Sequence, residues 1–196
     1  MNRRRVVIGV AIGIGATALG WLLMTTLSRA LRTTEPPPPE VQAQQTTPAA
    51  TPPVARIKAT LFFAAESGRG LVAVEQEIPF AEGVMGQARV LVEAQLAATP
   101  AAPLTSAIPA GTTLRGLFVS DRNEAFVDLD AMIRTKHPGG SMNELLTVFS
   151  IVNAIVTNLP GVQSVQLLID GREVDTLAGH VDLRRPLRKN DGLLTP

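Results

Sequence analysis

The sequence predicts a mixed α+β domain (α/β in the wider sense) with the element order ββα-ββα-ββ and two helices packed on one mixed sheet, preceded by a transmembrane helix. Three observations lead to this prediction. A long uncharged run lies near the N-terminus, a proline-rich stretch follows it, and from Arg56 onward apolar residues recur with strand or helix periods. The 196-residue chain therefore leaves about 140 residues for one folded domain.

The N-terminal region has the pattern of a membrane anchor. Residues 1–5 are basic, and residues 6–27 carry no charge, which is long enough to span a bilayer as a helix. Three arginines before this run and two behind it favour a cytoplasmic N-terminus and an exported domain. A signal peptide cleaved near residues 28–30 is the alternative, and it also exports the domain. The spacing of Gly9 and Gly13 fits either helix pairing or ordinary membrane-helix composition.

Residues 33–55 form a proline-rich linker. The stretch holds seven of the 15 prolines and few large aliphatic residues, which is typical of an extended polyproline-type spacer. Such a spacer reaches about 70 Å at about 3.1 Å per residue. Residues 36–39 also have the composition of an SH3-type ligand, but an exported location favours the spacer.

The first strand–strand–helix unit occupies residues 57–98. Residues 57–65 and 71–78 predict a hairpin around the turn at residues 67–70, because apolar runs flank a glycine-rich connection. Residues 84–98 predict a helix, since apolar residues and Gln95 recur there at helical spacing. One face of this helix is apolar, so we expect it to pack on a sheet.

The second unit follows a loop at residues 100–111. Residues 112–120 and 124–130 predict a strand pair. Ser141 and Glu144 fit a capping box at the start of a helix that runs to about Leu159. The apolar surface of this helix is broad, which predicts that it is the central core helix.

The last unit completes a domain that we place at residues 56–186, with a tail at 187–196. Residues 165–169 predict an interior strand, and residues 180–184 a short terminal strand. If residues 181–183 lie at a sheet edge, a second copy of the chain can pair with them.

Five segments in this order resemble the GerMN domain of spore germination proteins. They are the strand LFFA at residues 61–64, SAIPAGT at 106–112, AFVDL at 125–129, Gly139-Gly140-Ser141 before a long helix containing SIVN at 150–153, and Gly179-His180. The resemblance covers residues 56–186. The family-motif positions are Gly139, Gly140, Ser141, Asn153, Gly179 and His180.

The resemblance implies an exported, membrane-tethered domain similar to the ring-building motifs of bacterial sporulation channels. It also implies an assembly module without established catalysis. The founding sporulation protein of this family resembles a lipoprotein with two copies of the domain, whereas this sequence carries an anchor and one copy.

Residues that carry chemistry are few, because the chain has no Cys, no Tyr and two His. Thiol catalysis, disulfides and thiolate metal sites are therefore excluded. Two weak constellations can be drawn, and neither has the local spacing of known sites. They are Ser141 with His180 and one of Asp128, Asp175 or Asp182 as a triad, and His137, His180 and Asp182 as a metal site. We expect no catalytic residue, no metal and no cofactor.

Three further features are polar. The glycine loop at residues 139–141 enters a helix and can hold an anion, although glycines are also what a turn needs. Asp128 and Asp130 share one strand face, where we expect them to be solvated. Four cations lie close together near the C-terminus, where they fit either a solvated tail or a contact to lipid headgroups, acidic wall polymers or an acidic partner. They are Arg184, Arg185, Arg188 and Lys189.

The sequence thus predicts a single-pass cell membrane protein with its domain outside the cytoplasm. From Arg56 onward 13 basic residues face 15 acidic ones, and aromatic residues are only 4% of the chain, so we expect no nucleic-acid partner. The expected function is a non-enzymatic assembly or interaction scaffold in the cell envelope, related to sporulation or germination, whose partners are envelope proteins or further copies. The alternatives are a binding module for anionic polymers or small ligands, and a hydrolase.

Overall fold

A computed structural model of the chain describes residues 55–195. The predicted basic N-terminus, the predicted transmembrane helix at residues 6–27 and the predicted linker up to residue 54 lie outside the described residues. Between residues 55 and 195, no helix is both long and hydrophobic enough to cross a membrane.

Strands β1 (Arg56–Ala64) and β2 (Leu71–Pro79) form a two-stranded antiparallel sheet. The turn between them contains Gly68, whose φ of +64° favours glycine. Leu61 and Phe63 of β1 are fully buried, whereas the charged side chains near the other end of the hairpin are exposed. The predicted hairpin is confirmed, with strand ends that differ by one residue.

Three helices follow the hairpin at intervals. They are α1 (Gly83–Ala97), the single-turn α2 (Met132–Thr135) and α3 (Ser141–Asn158). Helices α1 and α3 lie within one residue of the predicted ends, and α2 was not predicted. In α3 every residue from 146 to 155 is buried, so α3 is the central core helix that its broad apolar surface predicted.

The remaining strands form a second, mixed sheet. Its strands are β3 (Leu114–Val119), β4 (Glu124–Leu129), β5 (Ser164–Ile169) and β6 (Arg172–Glu173), in the order β3-β4-β5-β6. Strands β4 and β5 are parallel, and the other neighbours are antiparallel. The buried side chains of β4 occupy every second position, as the period of a strand requires. They are Ala125, Val127 and Leu129.

The prediction of one mixed sheet is therefore wrong, because β1 has no strand partner besides β2 in the described chain. The other edge of β1 is closed mainly by side-chain amides from the helices. Each amide accepts one backbone N–H and donates to the C=O of the same residue, as a neighbouring strand would. The pairs are Thr60 with Asn158 of α3 (2.8 and 2.8 Å), Phe62 with Gln95 of α1 (2.9 and 2.8 Å), and Ala64 with the backbone of Thr105 (2.9 and 3.1 Å).

The prediction of a terminal strand at residues 180–184 is also wrong. Val181 and Leu183 are buried and belong to the core, because this segment is an irregular loop that packs inward. The strand that follows β5 is the two-residue β6 instead. Further along, Leu187 exchanges two backbone hydrogen bonds of 2.8 Å with Val165 of β5. The edge of β5 is therefore partly covered. Residues 181–183 form no strand and two of them are buried, so the predicted site for strand addition there is wrong.

Candidate functional site

Several of the family-motif positions lie around the start of α3. Gly139 and Gly140 precede the helix with φ values of +81° and +86°, which favour glycine. Ser141 is the first helical residue, Gly140 occupies the N-cap position, and no side chain caps this helix end. The predicted capping box is therefore wrong. Its second member, Glu144, points elsewhere because the loop after β6 offers it several donors.

Glu144 is completely buried and binds the loop that contains Gly179 and His180. Its Oε1 atom accepts the backbone N–H groups of Leu177 and Ala178 at 2.8 and 2.9 Å. Its Oε2 atom accepts the N–H of His180 at 2.8 Å and lies 3.2 Å from Nδ1 of the same residue. We call this arrangement of Glu144 and residues 177–180 the clasp.

The clasp keeps Glu144 ionised. Burial by itself raises the pKa of this carboxyl, but the backbone N–H groups of Ala178 and His180, followed by those of Val181 and Leu177, bring it below its ordinary value. An ionised carboxylate only accepts hydrogen bonds, so the Nδ1 of His180 carries the hydrogen that it donates. The clasp therefore fixes both the loop and the orientation of the imidazole ring.

Asn153, another family-motif position, is buried near the middle of α3. Its side-chain Oδ1 accepts the backbone N–H of Asn190 at 2.9 Å, and its Nδ2 donates to the C=O of Asn190 at 3.0 Å. This pair fixes the C-terminal segment on the helix. At the end of the described chain, the N–H of Thr195 donates to the C=O of Leu71 at 2.9 Å, so the predicted tail at residues 187–196 bonds to the domain.

The structure gives the paired carboxylates Asp128 and Asp130 partners within the domain. Asp128 accepts the backbone N–H of Gly171 at 2.7 Å and pairs with Arg115 at 3.3 Å, so it is engaged rather than solvated as predicted. Asp130 likewise accepts hydrogen bonds from Thr113 and from the N–H of Met132. The carboxylate beside His180 is Glu144, which the sequence placed in a helix cap.

The two histidines occupy different hydrogen-bond networks. The Nδ1 of His137 accepts the N–H of Gly139 at 3.0 Å, and its Nε2 lies 3.2 Å from Oγ1 of the buried Thr147. His180 belongs to the clasp. Within residues 55–195, no three His, Asp or Glu side chains are grouped so that they could hold a metal ion.

The four cations near the C-terminus are not equivalent. Arg184 forms two hydrogen bonds with Asp182, at 2.9 and 2.8 Å, and this guanidinium holds the pKa of the Asp182 carboxyl well below its usual range. Lys189 pairs with Asp191 at 2.8 Å. Arg185 and Arg188 are exposed and have no ion-pair partner among the described residues. The basic patch thus reduces to these two arginines.

A second region stands out because large apolar side chains are exposed there. Phe80, Val84 and Met85, at the connection between β2 and α1, are 48%, 52% and 53% exposed. Val84 and Met85 also line a groove of about 630 Å³ whose other wall includes Val119. We call Phe80, Val84 and Met85 the apolar patch. The helical spacing of Val84 to the buried Ala88 and Leu91 predicts that Val84 is buried too, but Val84 lies in the first turn of α1 and remains half exposed.

The comparison with protein families identifies the domain. Residues 60–175 match the Germane family, which is described by sporulation and spore germination. The chain belongs to the Germane family. The resemblance to GerMN domains predicted from the sequence is thereby confirmed.

One solved structure with a TM-score above 0.5 supports the fold of this Germane domain. The tandem GerMN domains of the sporulation protein GerM from Bacillus subtilis match with a TM-score of 0.54 at 16% identity, over 68% of this chain and 46% of that chain. The first GerMN domain of the same protein matches with a TM-score of 0.49 at 15% identity, over 69% of this chain and 98% of that chain. A predicted lipoprotein from Clostridium perfringens matches with a TM-score of 0.49 at 20% identity, over 71% of this chain and 92% of that chain. No curated protein matches significantly.

Three of the predicted motif positions take part in structural contacts. His180 joins Glu144, Gly139 donates to His137, and Asn153 holds Asn190. Gly179 adopts a φ of +97°, which the loop after β6 requires. In the structure these positions shape the loops around α3.

Proposed function

We propose that this Germane domain is a non-enzymatic interaction module, held outside the cytoplasm by a membrane anchor at residues 6–27, that contacts a protein in the cell envelope. The observation that carries the proposal is the apolar patch, since exposed apolar residues grouped beside a groove are typical of protein contact surfaces. The family description supports a role connected with sporulation or germination.

The polar residues support the same function. Glu144, Asn153 and His180 make hydrogen bonds within the domain. Asp128 accepts a hydrogen bond from Gly171 and forms an ion pair with Arg115. Among the side chains that the sequence offered for acid–base chemistry, His180, Asp128 and Asp182 thus have structural partners. The patch residues, in contrast, lie half in solvent, where their burial by a partner is favourable.

A photo-crosslinking amino acid at Met85 of the full chain, expressed in its native cells, tests this function. We expect an adduct that the double variant Phe80→Ser, Val84→Ser loses, because the variant removes apolar contact area. The matched control carries the crosslinker at Arg69, an exposed turn residue outside the patch. An adduct of twice the chain's mass identifies a second copy, and another mass identifies a different envelope protein. Absence of any adduct at Met85, or equal adducts at Arg69, contradicts the proposal.

The alternative function, contact with anionic envelope polymers, is favoured by Arg185 and Arg188. Both are exposed, and neither has an ion-pair partner between residues 55 and 195. Retention of the chain on purified cell wall tests this alternative. Loss of retention in Arg185→Glu, Arg188→Glu, but not in the charge-matched control Arg69→Glu, Arg122→Glu, supports it. Equal retention of both variants removes it.

The anchor and its direction need their own measurement. Protease added to spheroplasts digests an exported domain and spares a cytoplasmic one, and the positive N-terminus supports export. Complete protection of the domain in sealed spheroplasts overturns this part of the proposal.

A further inference from the structure

A cleft of about 690 Å³ lies between α2, the turn after β5 and the residues from β6 to Leu177 of the clasp. Ile169 and Leu177 line it and are buried, and Val174 is half-buried. The cleft therefore has an apolar floor. Its volume falls in the range of sites that bind small molecules.

The rim of the cleft is charged and incompletely paired. Arg134, Arg172 and Glu173 line it and are exposed, and none of them has an ion-pair partner in the part of the chain that the structure describes. Asp170 also lines the cleft, but Arg115 already binds it at 3.2 Å. The cleft thus offers two guanidinium groups and one carboxylate to a ligand.

The walls of the cleft are held in place by hydrogen bonds. Asp128 accepts the N–H of Gly171 at 2.7 Å, which fixes the turn after β5, where Asp170 has a φ of +51°. Glu144 accepts the N–H of Leu177 at 2.8 Å, which fixes the opposite wall. The backbone of both walls is therefore fixed before a ligand binds, and only the side chains of the rim have to be ordered.

We propose that the cleft binds a short peptide or an amino acid in its zwitterionic form. Arg134 and Arg172 bind the carboxylate, for which the planar guanidinium is well suited. Glu173 binds the ammonium group, and a small apolar side chain packs on the floor. The carboxylate of Glu173 disfavours a simple dianion such as phosphate, because like charges in one site repel. None of these residues belongs to the apolar patch, so the proposal goes beyond the proposed function and is independent of it.

Isothermal titration calorimetry on the full chain in detergent micelles tests this proposal. The probes are trialanine, N-acetyl-trialanine, trialanine amide and inorganic phosphate. We expect trialanine to bind, and each capped peptide to bind about tenfold or more weakly, since each cap removes one charge contact. No binding of trialanine, equal binding of either capped peptide, or equally tight binding of phosphate overturns the proposal.

Matched variants locate the site. Arg134→Gln and Arg172→Gln should each weaken trialanine binding about tenfold, and Glu173→Gln should weaken trialanine but not its acetylated form. The control Arg185→Gln, Arg188→Gln removes two exposed cations elsewhere and should leave the affinity unchanged. If the control weakens binding as much as the cleft variants, the contact is not in the cleft. The crosslinking result at Met85 is unaffected by either outcome.

Discussion

The clasp and the apolar patch differ in which side chains they bury: the clasp buries a charged side chain, and the patch leaves apolar side chains half exposed. In the clasp, a carboxylate is completely buried and accepts three backbone N–H groups, so a group that prefers water is fully satisfied without it. In the patch, Phe80, Val84 and Met85 are about half exposed, so groups that avoid water remain in it. The clasp therefore contributes to the stability of the domain, whereas the patch is the region where a bound partner would bury apolar surface.

The largest expected effect comes from removing the clasp carboxylate. Glu144→Ala leaves three N–H groups without an acceptor, one of them buried and two partly buried, and it should lower the free energy of unfolding by about 4 kcal/mol. Chemical denaturation of the full chain followed by circular dichroism measures this. The control Glu93→Ala removes an exposed carboxylate of α1 that pairs with Arg89, and it should cost about 0.5 kcal/mol or less. Equal costs for the two variants contradict a structural role for the clasp.

A smaller loss is expected from opening the edge of β1. Gln95→Leu keeps the size of a buried side chain but leaves the N–H and C=O of Phe62 unpaired, and we expect a cost of about 2 to 3 kcal/mol. Gln163→Leu, at an exposed position before β5, is the matched control. The same denaturation measurement applies, and an unchanged midpoint in Gln95→Leu shows that the amide does not stabilise the edge.

Acid should weaken the clasp in the native chain. Because the pKa of Glu144 is lower in the folded state, the stability that this group contributes is present above its ordinary pKa of about 4.5 and is lost as pH falls through the folded value. Below about pH 5 the free energy of unfolding should therefore fall, by up to about 1.4 kcal/mol per pH unit for this one group. Glu144→Gln should show a shallower slope than the native chain, and parallel slopes contradict the assignment.

The smallest effect on stability is expected in the apolar patch. Phe80→Ser, Val84→Ser removes exposed side chains, and we expect it to change the free energy of unfolding by about 0.5 kcal/mol or less per residue while abolishing the crosslink at Met85. A loss of several kcal/mol in this variant means that the patch belongs to the core and is not a contact surface.

Local patterns predicted most elements of this domain. The apolar periods located both hairpin strands, α1, α3 and β5 to within one or two residues, because period two and period 3.6 depend on neighbours in the sequence. They did not predict the separation into two sheets. Which strand pairs with which depends on contacts between distant residues, here the amides of Gln95 and Asn158 that occupy the edge of β1.

The candidate site was harder to predict because one spacing fits two structures. Ser141 and Glu144 have the separation of a capping box, but the same separation also places Glu144 on the buried side of α3, where the loop at residues 177–180 provides donors. Gln95 gave a clearer signal, since it is a polar residue at an apolar position of a helix. Such a residue implies a buried hydrogen-bond partner, but the sequence does not say which one.

The closure of β1 has a consequence for how the protein is made. Thr60 bonds to Asn158, 98 positions later in the chain, and synthesis proceeds from the N-terminus. The hairpin therefore leaves the ribosome well before the helices that shield it, and for that interval one strand has an unprotected edge of the kind that joins other strands. Chains that stop after β2 and before α1 keep this edge permanently, so incomplete translation products of that length should aggregate rather than accumulate as a soluble N-terminal fragment.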